Sequence, residues 1–431
     1  MVKLRLVLCA TVGAAVITSL ISTFVLLPVL APTGLLNSGI DEYDVIAVNL
    51  LSGHGYKLMP DGEPTIIRMP LYIFFLRTIF SVFGMELWPA QVIQCFVFGV
   101  NCLLVYLIAA QLFGRRYLAA IPMVLYALYP GAHVACWRIA TETFFTLCLL
   151  LAVYFLLRAR VSRRSVHFAL AGLCLGLGIY LRPTLYLFPP FLFGSLLLLT
   201  WRYENRRMLL KGFVVTAAMS YALLAPWVIR NYLLIGHIFP GDSNGIIAAY
   251  DGYYIMRHRH TGKELRQLMD ESWREQERIA AEHGIPYGPK IHYIYGAKNE
   301  YRLNTILRQR ILAYLRENPL AGLRERIENI PRFWYAGRTA RSSLIAASLQ
   351  LPFVVLALLG VGLLVGRKQL GNALPLVLLI AYFNLLHAAV FCQVRYSMPL
   401  MAFVIILGAV PLAMAWERLW SYNKKTETQE A

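Results

Sequence analysis

The sequence predicts an all-α polytopic membrane protein with about ten transmembrane helices and a small external helical subdomain. Three observations predict that class. Hydrophobic residues fill 58% of the 431 positions and charged residues only 15%, with a mean hydropathy of +0.56, a balance foreign to soluble domains. Apolar runs recur that reach the roughly 20 residues a helix needs to cross a bilayer. The basic residues, finally, sit in alternate polar gaps between those runs, at 115–116, 158–164, 202–211 and 367–368 and near both ends of the chain. The formal charge of +18 therefore reads as topology. Those gaps lie on the cytoplasmic side by the positive-inside rule, and no nucleic-acid partner is expected.

Taken in order, the first run, Leu6 to Leu30, is longer than a signal-peptide core of about 7–15 residues and lacks an A-x-A site, so it reads as a retained span. An external loop of about 31–88 follows. It opens with Asp41, Glu42 and Asp44 within one helical turn, and Tyr43, Ile46, Ala47, Leu50 and Leu51 then recur at amphipathic-helix spacing. Acids in the first turn are accounted for by helix capping and the helix dipole; catalysis is the competing account. Met69 to Phe83 is apolar but interrupted by Pro70 and Arg77, which suits an interfacial helix.

Further spans are expected at about 89–112, 118–136, 140–157, 166–181, 184–200 and 209–229. Glycines at 172, 176 and 178 read as small-residue helix contacts. Residues 1–232 thus form an N-terminal membrane module. A mostly helical external segment occupies 233–341, with a capping box at Thr261–Glu264, a stop at Gly284, a second helix over about 290–317 and a third opened by Asn318-Pro319. Residues 342–431 hold spans at about 345–366, 371–390 and 397–416 and a cytoplasmic tail. The seven cysteines lie in or beside apolar runs without CxxC spacing, so neither a disulfide framework nor a zinc site is indicated.

Charges at membrane edges are expensive, and several converging from separate spans are a functional-site hypothesis. By alternation, Asp41, Glu42, Asp44, Arg68, Arg138, Glu142, Arg182, Arg230 and Arg395 all emerge on the external face. Carboxylates beside arginines suit a reaction in which a base takes a proton from an alcohol while cations stabilise a phosphate leaving group. Each arginine taken singly is better explained as a snorkelling or headgroup-pairing residue.

Asp41-Glu42-Tyr43 with IAVNLLSGHGY, Arg68-Met-Pro70-Leu-Tyr72, Leu181-Arg182-Pro183-Thr184, Trp227-Val-Ile-Arg230-Asn231-Tyr232 and Arg395-Tyr396-Ser-Met-Pro399 resemble, in the same order, the polyprenyl-phosphate-sugar-dependent glycosyltransferases. These GT-C enzymes include protein O-mannosyltransferases and the aminoarabinose transferase acting on lipid A. The resemblance covers nearly all of the membrane part and fades between about Tyr250 and Arg341. It implies a GT-C fold in the cytoplasmic membrane, with the active site facing the periplasm or exterior. It implies a polyprenyl-phosphate-sugar donor and a lipid, glycan or protein acceptor. It places the catalytic carboxylate among Asp41, Glu42 and Asp44, Asp41 first, with Glu142 a further acidic position, and Arg68, Arg182, Arg230 and Arg395 near the donor phosphate. Transfer would invert the anomeric centre through an oxocarbenium-like transition state. No cofactor is required by the resemblance, and a divalent metal stays open: no DxD is present, and His54 and His133 are isolated. A multi-span transporter or flippase is the main alternative, and a scaffold subunit the third. Against transport, no internal repeat or pair of interrupted half-helices is found.

Overall fold

The structure is a computed structural model that describes residues 2–30, 42–200, 205–288 and 294–430, with side chains over 6–30, 42–200, 205–288 and 294–417. It is helical throughout, and no strand occurs among the described residues. Among the described residues, seven helices are long and apolar enough to cross a membrane, the first being Leu6–Leu30 and the last Val394–Glu417. The run expected at 118–136 is instead a pair, Ala120–Ala127 and Pro130–Trp137, bent by 53°. Pro130 opens the second piece, and the residue before a proline is pushed out of helical geometry. Counting that pair gives eight. Ten is reached only by adding the shorter apolar helices Ser165–Leu181 and Pro183–Leu199.

Two ends of the bundle are chemically distinct. Arg160, Arg163, Asn205 and Asn372 meet at one end, where Arg115 also pairs with Glu417 at 3.0 Å. The starts of Glu142–Ser162 and Ala340–Gly366 and the finishes of Ser165–Leu181 and Leu370–Ala389 meet at the other. The basic gaps therefore share one end.

Close helix contact holds the bundle together. A methyl on Gly172 would lie 2.5 Å from the Thr216 carbonyl oxygen, and one on Gly176 2.7 Å from Leu223. Ser165–Leu181 and Arg206–Ile235 thus touch backbone to backbone, with Ser220 donating to the Gly172 carbonyl at 3.0 Å. Polar side chains tie the same layers. Buried Gln94 donates to the carbonyls of Cys136 and Arg138 and accepts from the Tyr72 hydroxyl.

The segment 233–341, expected to be external, departs from expectation in two places. A helix at Asn244–His258 precedes those expected. The capping box lies at Glu264 and Gln267, opening Leu265–Glu282, while the Thr261 hydroxyl turns back to the His258 carbonyl. Gly284 follows with φ +62, as a helix stop requires. The later helices are Ala297–Glu317 and Pro319–Arg332; positions 289–293, on which the expected start of the second fell, lie outside the described residues. Glu300 locks this segment onto the first loop. Fully buried, its carboxylate accepts from Thr65 and Ser243 hydroxyls and the Ile66 N–H.

Candidate active site

A cavity of ≈ 540 Å³ opens at the end of the bundle away from the basic gaps. One wall is built from the first loop (Glu42, Tyr43, Arg68), the turn after Ser165–Leu181 (Arg182) and the first turn of the last span (Arg395, Tyr396). The facing wall comes from segment 233–341. Sequence separations of more than 300 residues close in this space.

Glu42 stands at the N-cap of Tyr43–Leu51 but makes no side-chain cap bond, which corrects the capping account for this residue. Its carboxylate turns instead to Arg68, Oε2 to Nη2 at 2.6 Å. Its φ of +57 is left-handed, a conformation that costs a non-glycine residue about 1–2 kcal/mol. Such strain persists where the surroundings over-determine it, as they do at functional sites. Behind it Tyr43, Ile46 and Ala47 are buried, so the expected apolar face holds the helix down.

Glu142 holds two arginines at once. Its Oε1 accepts from Arg182 Nη2 at 2.8 Å and from Arg395 Nε at 2.6 Å. Arg182 Nε also donates to the Thr141 hydroxyl at 2.7 Å, and its guanidinium lies over Phe145 and Tyr396. Three elements distant in sequence thus aim fixed guanidiniums at the cavity. Glu142 itself is buried beneath them.

The other expected residues are placed differently. Asp41 lies outside the described residues. Asp44 sits in the first turn of its helix and is not among the cavity-lining side chains; burial holds its carboxyl above the ordinary carboxylate range. Arg230 is also away from the lining. Its guanidinium lies between Trp227 and Tyr56, 4.5 and 4.8 Å from the ring centroids, and donates to the Thr65 carbonyl at 3.0 Å. Arg138 is buried, and its carbonyl accepts from Gln94.

Several lining residues escaped the sequence reading. Asp242, in the turn after Arg206–Ile235, lies in the field of Arg68 and accepts from the Gly245 N–H at 3.0 Å. Burial pushes its carboxyl up to about 6, against the pull of Arg68. Asp251 is 4% exposed and is pushed up to about 7 by burial, although Ser272, Trp273 and Gln276 all donate to it. Arg266, Asp270 and Arg338 complete the external wall. The one signal available in sequence was spacing, since Arg266, Asp270 and Trp273 share a helix face; mixed charge made that face read as solvated.

Among the described residues no three His, Cys, Asp or Glu side chains approach closely enough to hold a metal ion. Glu42 and Glu142 are already engaged by arginines and Asp251 by three donors. The described donor set does not fit a metal, and no step below runs through one.

Comparison with known proteins agrees with this architecture. Residues 64–229 match the family model described as dolichyl-phosphate-mannose-protein mannosyltransferase. The solved apo oligosaccharyltransferase of Archaeoglobus fulgidus superposes with a TM-score of 0.58 at 15% identity, over 98% of this chain and 52% of that one. The same archaeal enzyme, AglB, in complex with an inhibitory peptide and a dolichol-phosphate, gives a TM-score of 0.52 at 14% identity over 90% and 47%. ArnT from Cupriavidus metallidurans bound to undecaprenyl phosphate gives 0.40 at 13% identity over 94% and 76%. No curated protein matches by sequence. The chain is a multi-pass membrane protein with the fold of the GT-C glycosyltransferases. It spans about half the length of the solved oligosaccharyltransferases.

Proposed function

We propose that the chain is a membrane glycosyltransferase that moves a sugar from a polyprenyl-phosphate donor to an acceptor hydroxyl. The observation that carries this reading is the set Arg68, Arg182 and Arg395, each fixed by a carboxylate and all lining one cavity at the end of an apolar bundle. Held guanidiniums suit phosphate oxygens, because the planar fork pairs with them bidentately. Apolar helices leading to that cavity suit a polyprenyl tail. AglB, of the same fold, has been solved with a dolichol-phosphate.

In this reading the acceptor oxygen attacks the anomeric carbon as the donor phosphate departs with the bonding pair. A first-loop carboxylate, Asp41 by the resemblance, takes the hydroxyl proton. Attack from the face opposite the phosphate inverts the anomeric centre, and the same carboxylate stabilises positive charge that builds on the ring. Arg68, Arg182 and Arg395 bear the charge that accumulates on the phosphate, in a site already organised to receive it. With the basic gaps in the cytoplasm, the cavity faces the periplasm or exterior of the cytoplasmic membrane, and the acceptor is a lipid, glycan or protein reached from that side.

Detergent-purified protein should consume a polyprenyl-phosphate-sugar in the presence of acceptor, with Asp41→Asn folded but slowed by about 10²–10⁴-fold, the usual contribution of a positioned base. Near-normal turnover of Asp41→Asn sinks the base assignment. Binding without turnover, restored to vectorial movement in sealed vesicles, turns the reading to transport.

A further inference from the structure

One face of a single helix makes up part of the cavity wall that comes from segment 233–341. Arg266, Met269, Asp270 and Trp273 recur at i, i+3, i+4 and i+7 on Leu265–Glu282, a spacing that puts them on one side, and all four line the cavity. Leu268, Ser272, Gln276 and Ile279 of the same helix are buried and anchor it. The Trp273 ring is fixed: its indole N–H donates to Asp251 Oδ2 at 3.3 Å, while Asp251 Oδ1 accepts from Ser272 and Gln276 at 2.7 Å each. Asp270 makes no hydrogen bond or ion pair among the described residues, so its carboxylate faces the cavity with both oxygens available.

A held aromatic face beside an uncommitted carboxylate matches a sugar ring. One side of a pyranose presents C–H groups, which a negative π-face attracts, and its edge presents hydroxyls, which a carboxylate accepts. Neither group suits phosphate, whereas the facing arginines do. The cavity thus sets an aromatic ring and a carboxylate opposite Arg68, Arg182 and Arg395, with Arg266 and Arg338 beside them on the external wall, so that one cavity can meet both halves of a sugar phosphate. We propose that Trp273 and Asp270 form the subsite for the sugar ring of the donor, an inference that rests on the donor reading above.

The test compares binding of undecaprenyl phosphate with that of its mannosyl, glucosyl and arabinosyl phosphodiesters, by ligand-induced stabilisation of the full chain in detergent. The native protein should prefer at least one sugar-bearing lipid over undecaprenyl phosphate. Trp273→Ala should shrink that preference about thirtyfold, as expected for loss of a central aromatic anchor, and Trp273→Phe much less. Asp270→Asn, on the cavity face and free of structural bonds, should shrink it about fivefold, one hydrogen bond's worth. A native protein that binds all four lipids alike, or variants that leave the ratio unchanged, overturn the subsite. Failure to bind any of the four overturns the donor reading itself, and the subsite with it.

Discussion

Replacing Glu142 with glutamine keeps the volume and removes the one charge that two arginines share. The Glu142 side chain is 1% exposed, and those of Arg182 and Arg395 are 12% and 14% exposed, so water screens the change poorly. Two unit charges about 4 Å apart interact by about 4 kcal/mol at an effective dielectric of 20. Removing one member of a buried pair costs about 3–5 kcal/mol net, because the partner is left desolvated. The arginines keep some contact with the cavity, which favours the lower end, about 3 kcal/mol. With an unfolding entropy of about 2.1 cal/mol/K per residue, a chain this long shifts its Tm by roughly 1 °C per kcal/mol, so the midpoint should fall by about 3 °C in a fluorescence melt in detergent. Undecaprenyl phosphate should restore most of the loss by supplying negative charge to the same guanidiniums; uncharged undecaprenol should not. Adding Arg395→Met to Glu142→Gln should recover about half, since one of the two cations then goes. A midpoint that does not move would refute the idea that Glu142 neutralises this pair.

Other perturbations test the scaffold around the cavity. Arg230→Ala should loosen the first loop, because it strips the Thr65 carbonyl of a donor and empties the space between Trp227 and Tyr56; faster proteolysis within 52–66 is the readout, and donor affinity should fall less than in Arg182→Ala. Asp242, Asp251 and Glu300 have carboxyls pushed up to about 6, 7 and 7, so the fold binds protons more tightly than the unfolded chain. Stability contributed by these groups should therefore be full below about pH 4 and decline as pH rises toward about 7, and Glu300→Gln should flatten the upper part of that slope in melts across pH. Gly252→Ala places a methyl 1.8 Å from the Val390 carbonyl oxygen. The helix must move away, at about 1–3 kcal/mol, carrying Asp251 out of the cavity wall; a fall in both Tm and turnover should be measurable.

How far the sequence could be read depended on what burial does to each residue type. Arg182, Glu142 and Arg395 drew notice because a charge beside an apolar span is costly wherever it points, and the structure brings these three together. Arg230 drew notice for the same reason, yet it serves the packing of Tyr56 and Trp227, which spacing cannot distinguish from ligand binding. Glu42 looked like a cap because acids favour helix starts, but its backbone is left-handed and its carboxylate belongs to Arg68. Arg266 and Asp270 sit on a helix of mixed charge, where nothing local separates a face that meets water from one that closes a cavity, and Asp251 lies on Asn244–His258, a helix that local periodicity does not announce.

The sequence by itself determined the helical membrane class, the positions of the long spans and the sorting of basic gaps to one end, because bilayer thickness and charge desolvation act on each segment independently of the others. Tertiary structure alone decided the bend at Pro130, the partners of every charged side chain and the wall that the external segment lends to the cavity. Those depend on which helix faces reach one another across hundreds of residues, a relation that local periodicity does not carry.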